Sequence, residues 1–330
     1  MKYIYDLTKL QIGDIILKRD DTETSNRVRV ATNSDYSHAM LYVGSTSYID
    51  AGKRVRAKNL QRYLFDDPED TCVLRVKKEF LFPLLKEFAV FYVRSVVGNP
   101  YAYMDAFRME RGEYDKFTEN KQICTRLVAK GYALCGLKLV DNVEMCTPQQ
   151  LLESEKVEIL RDCYREATDF DMKFAATYDV TEDMADATDK MFSALYDYSD
   201  GRIRSIADLN NYIIAHSDDD KDIAKIIAES GYLNVLELDE IHNKYNYDVE
   251  EFKSFYGEKS MQAAYEMLEE NRDTMFFYDS QLEDLLDIQQ NLGRESQYFN
   301  QQIDLYKRIK AQHRKRERNA RYVLNSLLNA

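Results

Sequence analysis

Short runs of apolar residues, bounded by polar or turn-forming positions, recur through the first half of the chain and predict β-strands. An apolar run over 11–17 follows a turn, and two strand-like runs over 37–44 and 46–51 are separated by one short turn. Residues 71–77 alternate between apolar and polar with a period of two, which is typical of a half-buried strand. The pattern predicts a sheet in which 37–44 and 46–51 form a β-hairpin.

Helical patterns lie between and after these strands. The apolar stretch 80–97 is long enough for a helix and ends at the stop signal 98–100, which is Gly-Asn-Pro. Residues 123–134 also have helical spacing. A third helix is predicted to begin at Thr147-Pro148, with Thr147 as N-cap and the proline at the first helical position.

Beyond about Cys163 the strand-like alternation gives way to amphipathic helical patterns that continue to the end of the sequence. We therefore predict an α+β domain over 1–165 and an all-α region over 166–330. Within the second region apolar or aromatic side chains recur at every seventh position, namely Tyr278, Leu285, Leu292, Phe299 and Tyr306. The companion positions are Met275, Leu282 and Ile303, with Gln289 and Ser296 as polar breaks. Two structures fit this repeat: an antiparallel helical hairpin that packs on its own chain, or a self-associating coiled coil.

Composition narrows the class of function. Of the 330 residues 45% are hydrophobic and 31% are charged, so packed cores are expected rather than general disorder. The formal net charge of −13 argues against a general nucleic-acid binder, which needs a basic surface. The segment 307–321 is nevertheless strongly basic. It is either a solvated helix face or a contact for an acidic surface, on this chain or on a protein partner.

The cysteines and the first residues of the sequence indicate in which cellular compartment the protein is expected. Residues 1–17 lack the apolar stretch of a secretory signal, and no charge-free run approaches 20 residues. The five cysteines form neither a CxxC pair nor a zinc spacing: Cys72, Cys124, Cys135, Cys146 and Cys163. An odd number of cysteines without a signal peptide is typical of reduced thiols in the cytoplasm. We expect a cytoplasmic protein with no transmembrane segment, no metal and no organic cofactor.

One cysteine and one histidine are candidates for nucleophilic catalysis. A cysteine hydrolase needs a thiolate, an imidazole and a group that orients the imidazole, and a helix N-terminus lowers the pKa of a thiol. Cys124 lies at a predicted helix start after the polar residues Thr118, Asn120 and Gln122, whereas Cys146 lies just outside the next helix. His38 is the only histidine in the α/β half, at the start of a strand. The other histidines are expected at the surface: His216, His242 and His313.

The order of several short motifs resembles the circularly permuted branch of the NlpC/P60 papain-like superfamily, closest to YiiX/YebB-like hydrolases and more distantly to lecithin:retinol acyltransferase-like enzymes. The matching segments, in the family's order, are Gly13-Asp14, Ser37-His38, Tyr48-Ile49-Asp50-Ala51, Gly98-Asn99-Pro100-Tyr101, Cys124-Thr125 and Thr147-Pro148. The resemblance covers about residues 1–160 and implies a permuted papain-like domain with an antiparallel sheet. It also implies Cys124 as nucleophile, His38 as base and Asp50 as the third member of a triad.

Spacing is consistent with the role that the resemblance implies for Asp50. Residues 38 and 50, on strands joined by a short turn, can lie side by side across the ladder. Asp50 then accepts the second N–H of the imidazole; alternatively it caps the turn at Ala51-Gly52. For the oxyanion we expect the backbone N–H of Cys124 with one further donor, either Tyr101 or a backbone group near Asp14. Arg126 departs from the family pattern, which often has an acidic residue there, and this leaves substrate preference open.

The expected reaction is hydrolysis of an amide, ester or thioester through an acyl-enzyme. The substrate is then an acyl or peptide compound, and the same site could transfer the acyl group to an acceptor other than water. Two other classes fit the sequence. One is a non-catalytic papain-like module whose helical half binds a partner, and the other is an intracellular effector or defence toxin whose helical half controls the hydrolase.

Overall fold

The protein is described here by a computed structural model that covers residues 1–111, 113, 117–118 and 121–329. The chain divides into two compact units. The first comprises 1–177 with 204–208, and the second comprises 178–203 with 209–330. The expectation that 1–165 forms an independent domain stays a prediction, and the first unit extends beyond it.

The described residues of the first unit contain two antiparallel sheets. A six-stranded sheet has the order β5-β4-β3-β2-β6-β7, and β1 pairs with β8 in a second, two-stranded sheet. The strands are β1 (Tyr3–Tyr5), β2 (Ile15–Lys18), β3 (His38–Gly44), β4 (Ser47–Ala51), β5 (Val55–Asn59), β6 (Thr71–Val76), β7 (Val157–Leu160) and β8 (Tyr164–Glu166). The predicted α+β class with antiparallel sheets is confirmed.

The predicted hairpin is formed by β3 and β4. Met40 lies opposite Asp50, and Gly44 lies opposite Ser47. The two residues between the strands, Ser45 and Thr46, both have positive φ, of 48° and 61°. Two successive left-handed residues are what a type I′ turn requires, and its twist matches that of the flanking strands. This turn fixes the register that brings β4 beside the start of β3.

In the described part of the first unit six α-helices accompany the sheets: α1 (Glu23–Thr32), α2 (Leu85–Ser95), α3 (Tyr103–Glu110), α4 (Cys124–Leu134), α5 (Pro148–Leu152) and α6 (Asp169–Ala175). The predicted helix over 80–97 is shorter, because Pro83 disfavours helical backbone at Phe82 and Leu84 has a φ of 63°. At the start of α5 the prediction is confirmed, with a capping box between Thr147 and Gln150.

Helix α4 is the central helix of the first unit. It is buried along most of its length and packs against α2 and β3. Leu127 and Val128 are fully buried in the main core. At Gly131 a Cβ atom would lie 3.3 Å from the carbonyl oxygen of Ala89 on α2, so the glycine permits close packing of the two helices. This packing holds the N-terminus of α4, which begins at Cys124, in a fixed position.

The second unit is helical. The remaining helices of the chain are α7 (Val180–Tyr198), α8 (Ile206–Ala215), α9 (Asp220–Glu229), α10 (Val235–His242), α11 (Val249–Tyr256), α12 (Ser260–Asn291) and α13 (Gln297–Leu328). None of the helices in the described ranges is long and apolar enough to cross a membrane.

Helices α12 and α13 form an antiparallel hairpin, one of the two structures that the heptad pattern allowed. The rings of Tyr278 and Tyr306 lie 5.8 Å apart, and Nδ1 of His313 lies 2.7 Å from Oδ1 of Asn271. The repeat does not follow one continuous helix, because the chain turns between α12 and α13 at Gly293, where φ is 68°. His313 is half-buried between the helices, so its expected surface position is wrong. Self-association stays a prediction.

Candidate active site

Cys124 is the first residue of α4. Ile123 before it is extended, with φ −109° and ψ 157°, and Cys124 as a whole is 6% exposed. Backbone N–H groups of Ala39 and Thr125 donate hydrogen bonds to the sulfur. One donor therefore comes from the strand β3 and the other from the first turn of the helix. Donors at a helix N-terminus stabilise a thiolate more than a thiol.

His38 is the first residue of β3 and lies between Cys124 and Asp50. The preceding Ser37 is fixed, because its N–H donates to the carbonyl oxygen of Lys18 at 3.0 Å. Nε2 of His38 lies 3.1 Å from Oδ2 of Asp50, and the same imidazole is hydrogen bonded to the thiol of Cys124. Its side chain is 18% exposed. The structure thus brings together the three residues assigned to the triad.

Asp50 is buried on β4, with its side chain 3% exposed. Its Oδ2 accepts from His38 and also from Nζ of Lys58, which lies 3.2 Å away. Its Oδ1 is buried and has no hydrogen-bond partner among the described residues. A carboxylate in a turn cap would accept backbone N–H groups, but the described contacts of Asp50 are with two cationic side chains. Its geometry is that of an orienting group for the imidazole.

The electrostatics of the site favour a thiolate–imidazolium pair. Burial disfavours the charge on His38, but the thiolate of Cys124 and the carboxylate of Asp50 outweigh it and raise the pKa of His38 to about 9. Burial likewise opposes ionisation of Cys124, yet His38 and the two backbone donors lower the pKa of the thiol. The pKa of Asp50 stays well below its usual range despite burial, because His38 and Lys58 stabilise the carboxylate.

The other four thiols lack these features. Burial raises the pKa of Cys72 and of Cys163 to about 11, and that of Cys146 to about 12. Burial also raises the pKa of Cys135, which is half-buried at the end of α4. Cys124 is therefore the one cysteine whose pKa is lowered, which is the property that a nucleophile needs.

Arg126 anchors the start of α4 instead of facing a substrate. Its side chain is 1% exposed, and its Nη2 lies 2.7 Å from Oδ2 of Asp105. The guanidinium also donates to the carbonyl oxygens of Lys121 at 2.8 Å and of Glu144 at 2.7 Å. These bonds tie the segments before and after α4 to the helix. The basic residue at this position is accounted for by internal contacts.

Tyr101 lies beside the segment that leads into Cys124. It forms an isolated parallel bridge with Gln122, and its half-buried ring packs edge-on against Tyr103 at 5.0 Å. Gln122 is buried and donates from Nε2 to the hydroxyl of Tyr92 at 3.1 Å. The position of Tyr101 is compatible with a role near the nucleophile, and its role as an oxyanion donor stays a prediction. Asn120, part of the same polar lead-in, lies outside the described residues.

Asp14 is not part of this site. It lies just before β2, four residues from Lys18, the residue that pairs with His38. Its carboxylate is fully buried and paired with Arg75, with Oδ2 2.6 Å from Nη2. Its backbone carbonyl accepts from Tyr42, and its N–H donates to Gln11. The expectation of an oxyanion donor near Asp14 is not met, because these groups are engaged at the other end of the strand.

Comparison with known proteins places few constraints on this chain. No protein-family model matches it, and no curated protein matches it. Among solved structures it is similar to the crystal structure of metalloprotein YiiX from Escherichia coli O157:H7 (DUF1105), with a TM-score of 0.36 and 18% sequence identity. That match covers 46% of this chain and 96% of the YiiX chain. The assignment of the site therefore depends on its own geometry.

Two components of the site were absent from the sequence expectations. Lys58, on β5, contacts Asp50 through its side chain, and the N–H of Ala39 donates to the sulfur. The contact of Lys58 with Asp50 could be predicted only from the position and register of β5. A backbone N–H donor cannot be predicted from residue type, because every residue except proline has one. Within the described ranges no group of three or more His, Cys, Asp or Glu side chains could hold a metal ion.

Proposed function

We propose that the first unit is a cysteine hydrolase of the permuted papain-like type that cleaves an amide, ester or thioester bond. One observation carries the proposal. A single imidazole, His38, is hydrogen bonded to a thiol at a helix N-terminus and to a buried carboxylate. Thiol, base and orienting group in this order are the requirements of nucleophilic catalysis by cysteine. Each of the three has its pKa displaced in the direction that the reaction needs.

In the first half of the reaction, the Cys124 thiolate attacks the carbonyl carbon and the carbonyl electron pair moves to oxygen. The N–H of Cys124, at the start of α4, has no acceptor within the helix and is available to the oxyanion, whereas that of Thr125 donates to the sulfur. The tetrahedral intermediate then collapses. His38, as imidazolium, donates its proton to the leaving amine, alcohol or thiol, and a thioester to Cys124 remains.

In the second half, His38 is neutral and accepts a proton from water while the water oxygen attacks the thioester. Collapse of the second intermediate releases the carboxylic acid and restores the thiolate–imidazolium pair. Asp50 holds the Nε2–H of His38, which leaves Nδ1 as the nitrogen that exchanges protons with the sulfur and the substrate. Asp50 also stabilises the positive charge each time it forms.

The test is turnover of a panel of matched amide, ester and thioester substrates by the full chain. We expect Cys124→Ala to abolish turnover, since no other described thiol has a base beside it. Cys135→Ala is the matched control, because it removes a thiol from the opposite end of the same helix. Turnover that survives in Cys124→Ala with an unchanged rate contradicts the proposal.

A further inference from the structure

Helix α13 concentrates positive charge in an acidic chain. Eight of the fifteen residues over 307–321 are Lys or Arg and one is acidic, whereas the whole chain has a net charge of −13. The sequence allowed two roles for this segment, a solvated helix face or a contact for an acidic surface. The structure divides its cations into two groups that differ in their partners.

The first group of cations is neutralised within the second unit. Each member forms an ion pair with a carboxylate: Arg308 with Asp304, Lys310 with Asp279, Lys315 with Glu240, and Arg316 with Asp239. Asp239 and Glu240 lie on α10, and Asp279 lies on α12. Three of the four pairs therefore hold α13 against its neighbours, and this chain's own acidic side chains account for this group.

The second group lies on the solvent face of α13. Lys307, Arg314 and Arg318 are exposed, and within the described part of the chain none of them has an ion pair or a side-chain hydrogen bond. Arg321 is also exposed and pairs only with Glu317 of its own helix, at 2.8 Å. The four cations are spaced by seven, four and three residues, so they line one face of the helix over about 21 Å. We call these four cations the basic stripe.

The fold does not account for the basic stripe. The contacts of α13 with the helical core use other positions, such as Phe299 and Val323, which are fully buried. Arg314 and Arg318 are four residues apart, a spacing at which like charges destabilise a helix. A surface groove follows this face and is lined by Ala311, Arg314, Lys315, Glu317, Arg318 and Arg321. An anionic partner in the groove would offset the repulsion between the cations.

We propose that the basic stripe binds an acidic polypeptide segment that lies along α13. A helix with Asp or Glu at every third or fourth position presents carboxylates at the spacing of the stripe. Three of the four cations are arginines, whose guanidinium groups match a carboxylate with two parallel hydrogen bonds. The inference concerns a binding surface of the second unit and does not depend on the proposed reaction at Cys124.

The charge of the whole chain favours a short acidic segment over other anions. A nucleic acid or an anionic membrane carries dense negative charge that extends beyond the stripe, where a chain with a net charge of −13 repels it. A second copy of the chain has the same net charge and is repelled in the same way. A short segment places its carboxylates on the stripe alone, so it gains the attraction with the least repulsion.

The test is fluorescence anisotropy of labelled peptides titrated with the full chain. The probe is a helical peptide of Ala and Glu with Glu at every third or fourth position, and its control has Gln in place of each Glu. We expect the Glu peptide to bind, the Gln peptide not to bind, and the binding to weaken with added salt. Single-stranded DNA of similar length and vesicles of phosphatidylserine and phosphatidylcholine should bind more weakly than the Glu peptide.

A pair of double variants assigns the binding to the stripe. Arg314→Gln with Arg318→Gln should raise the Kd of the Glu peptide roughly threefold to thirtyfold, because it removes two exposed charge pairs. Lys221→Gln with Lys225→Gln is the matched control, since it changes the net charge equally at exposed positions of α9 in the same unit. The control should leave the Kd unchanged, and thermal melts verify that both variants are folded.

Three results would overturn the proposal. The Glu peptide does not bind, or it binds equally well to both double variants, if the stripe is only a solvated face. Tighter binding of DNA or vesicles than of the Glu peptide, lost in the Arg314 and Arg318 double variant, would assign the stripe to that partner instead. Salt-sensitive self-association in analytical ultracentrifugation, lost in the same variant, would assign it to a second copy of the chain.

Discussion

Replacement of Asp50 by asparagine isolates the charge of the third triad member. The two side chains are nearly equal in shape, so the amide can occupy the same buried site on β4. It no longer carries the negative charge that faces His38 at 3.1 Å and Lys58 at 3.2 Å. The amide can also present its NH₂ group to the imidazole, which selects the wrong tautomer.

The pKa of His38 sets the scale of the effect. Burial alone would lower that pKa, yet the Cys124 thiolate and Asp50 raise it from 6.5 to about 9. This difference corresponds to about 3 kcal/mol in favour of the imidazolium, shared between the two negative groups. Loss of the Asp50 share, about 1–2 kcal/mol, slows a step through the imidazolium about tenfold or more. Selection of the wrong tautomer lowers the rate further, and the equivalent change in a serine protease lowers kcat by a factor of about 10⁴.

We therefore expect Asp50→Asn to lower kcat by a factor between about 10² and 10⁴. The assay is kcat as a function of pH, with a thermal melt of each variant. Lys58→Met is the matched control, because it breaks the other contact of the same carboxylate and leaves the His38 hydrogen bond in place. Lys58→Met should lower the melting temperature about as much as Asp50→Asn does, while its kcat stays within about tenfold of that of the native chain. An Asp50→Asn variant with a normal rate and an unchanged pH profile would refute the triad and leave a Cys–His dyad.

Three further predictions follow from the same structure. The pH profile of kcat/KM should be bell-shaped. The rate rises with pH as the Cys124 thiol ionises below its ordinary pKa, and it falls near pH 9 as His38 loses its proton. A rate that only rises with pH would contradict the ion pair. Arg126→Gln should lower the free energy of unfolding in a urea titration by about 1–3 kcal/mol, because it removes a buried hydrogen-bond donor from Asp105, which keeps its contacts with Arg108 and Thr118. Lys130→Gln on the same helix should change the free energy of unfolding by less than about 1 kcal/mol. A fragment of residues 1–177 should unfold cooperatively in a thermal melt because it retains the β1–β8 pair, and a non-cooperative melt would show that it needs the remaining chain.

Much of the site could be predicted because its residues lie where local patterns are strong. The hairpin has alternating apolar strands around one short turn, and its length sets the register that brings residue 50 near residue 38. The helix at Cys124 follows from the apolar spacing of 123–134. At the hairpin and at the start of α4 the local preference and the tertiary structure agree, so hydrophobic periodicity was enough to predict both elements.

Other parts depend on contacts that the sequence does not display. The strands β1 and β8 have three residues each and exist because they pair with each other across more than 150 positions. The strand β5 reads as polar, R-A-K-N after Val55, because its apolar partners are on the neighbouring strand. The heptad pattern is continuous in sequence although the chain reverses within it. A backbone group near Asp14 was expected at the oxyanion, whereas Asp14 lies beside Tyr42, four residues along β3 from His38.

The central claim is that Cys124 is ionised by His38 at neutral pH. The direct measurement is the rate of iodoacetamide alkylation of each cysteine between pH 5 and pH 10, resolved by peptide mass spectrometry, in the native chain and in His38→Ala. The account predicts that Cys124 reacts at a pH where the other four thiols, whose pKa values burial raises, are still protonated. It also predicts that His38→Ala raises the pH at which Cys124 becomes reactive. A Cys124 that titrates at the ordinary pKa of a thiol, with no change in His38→Ala, contradicts the account.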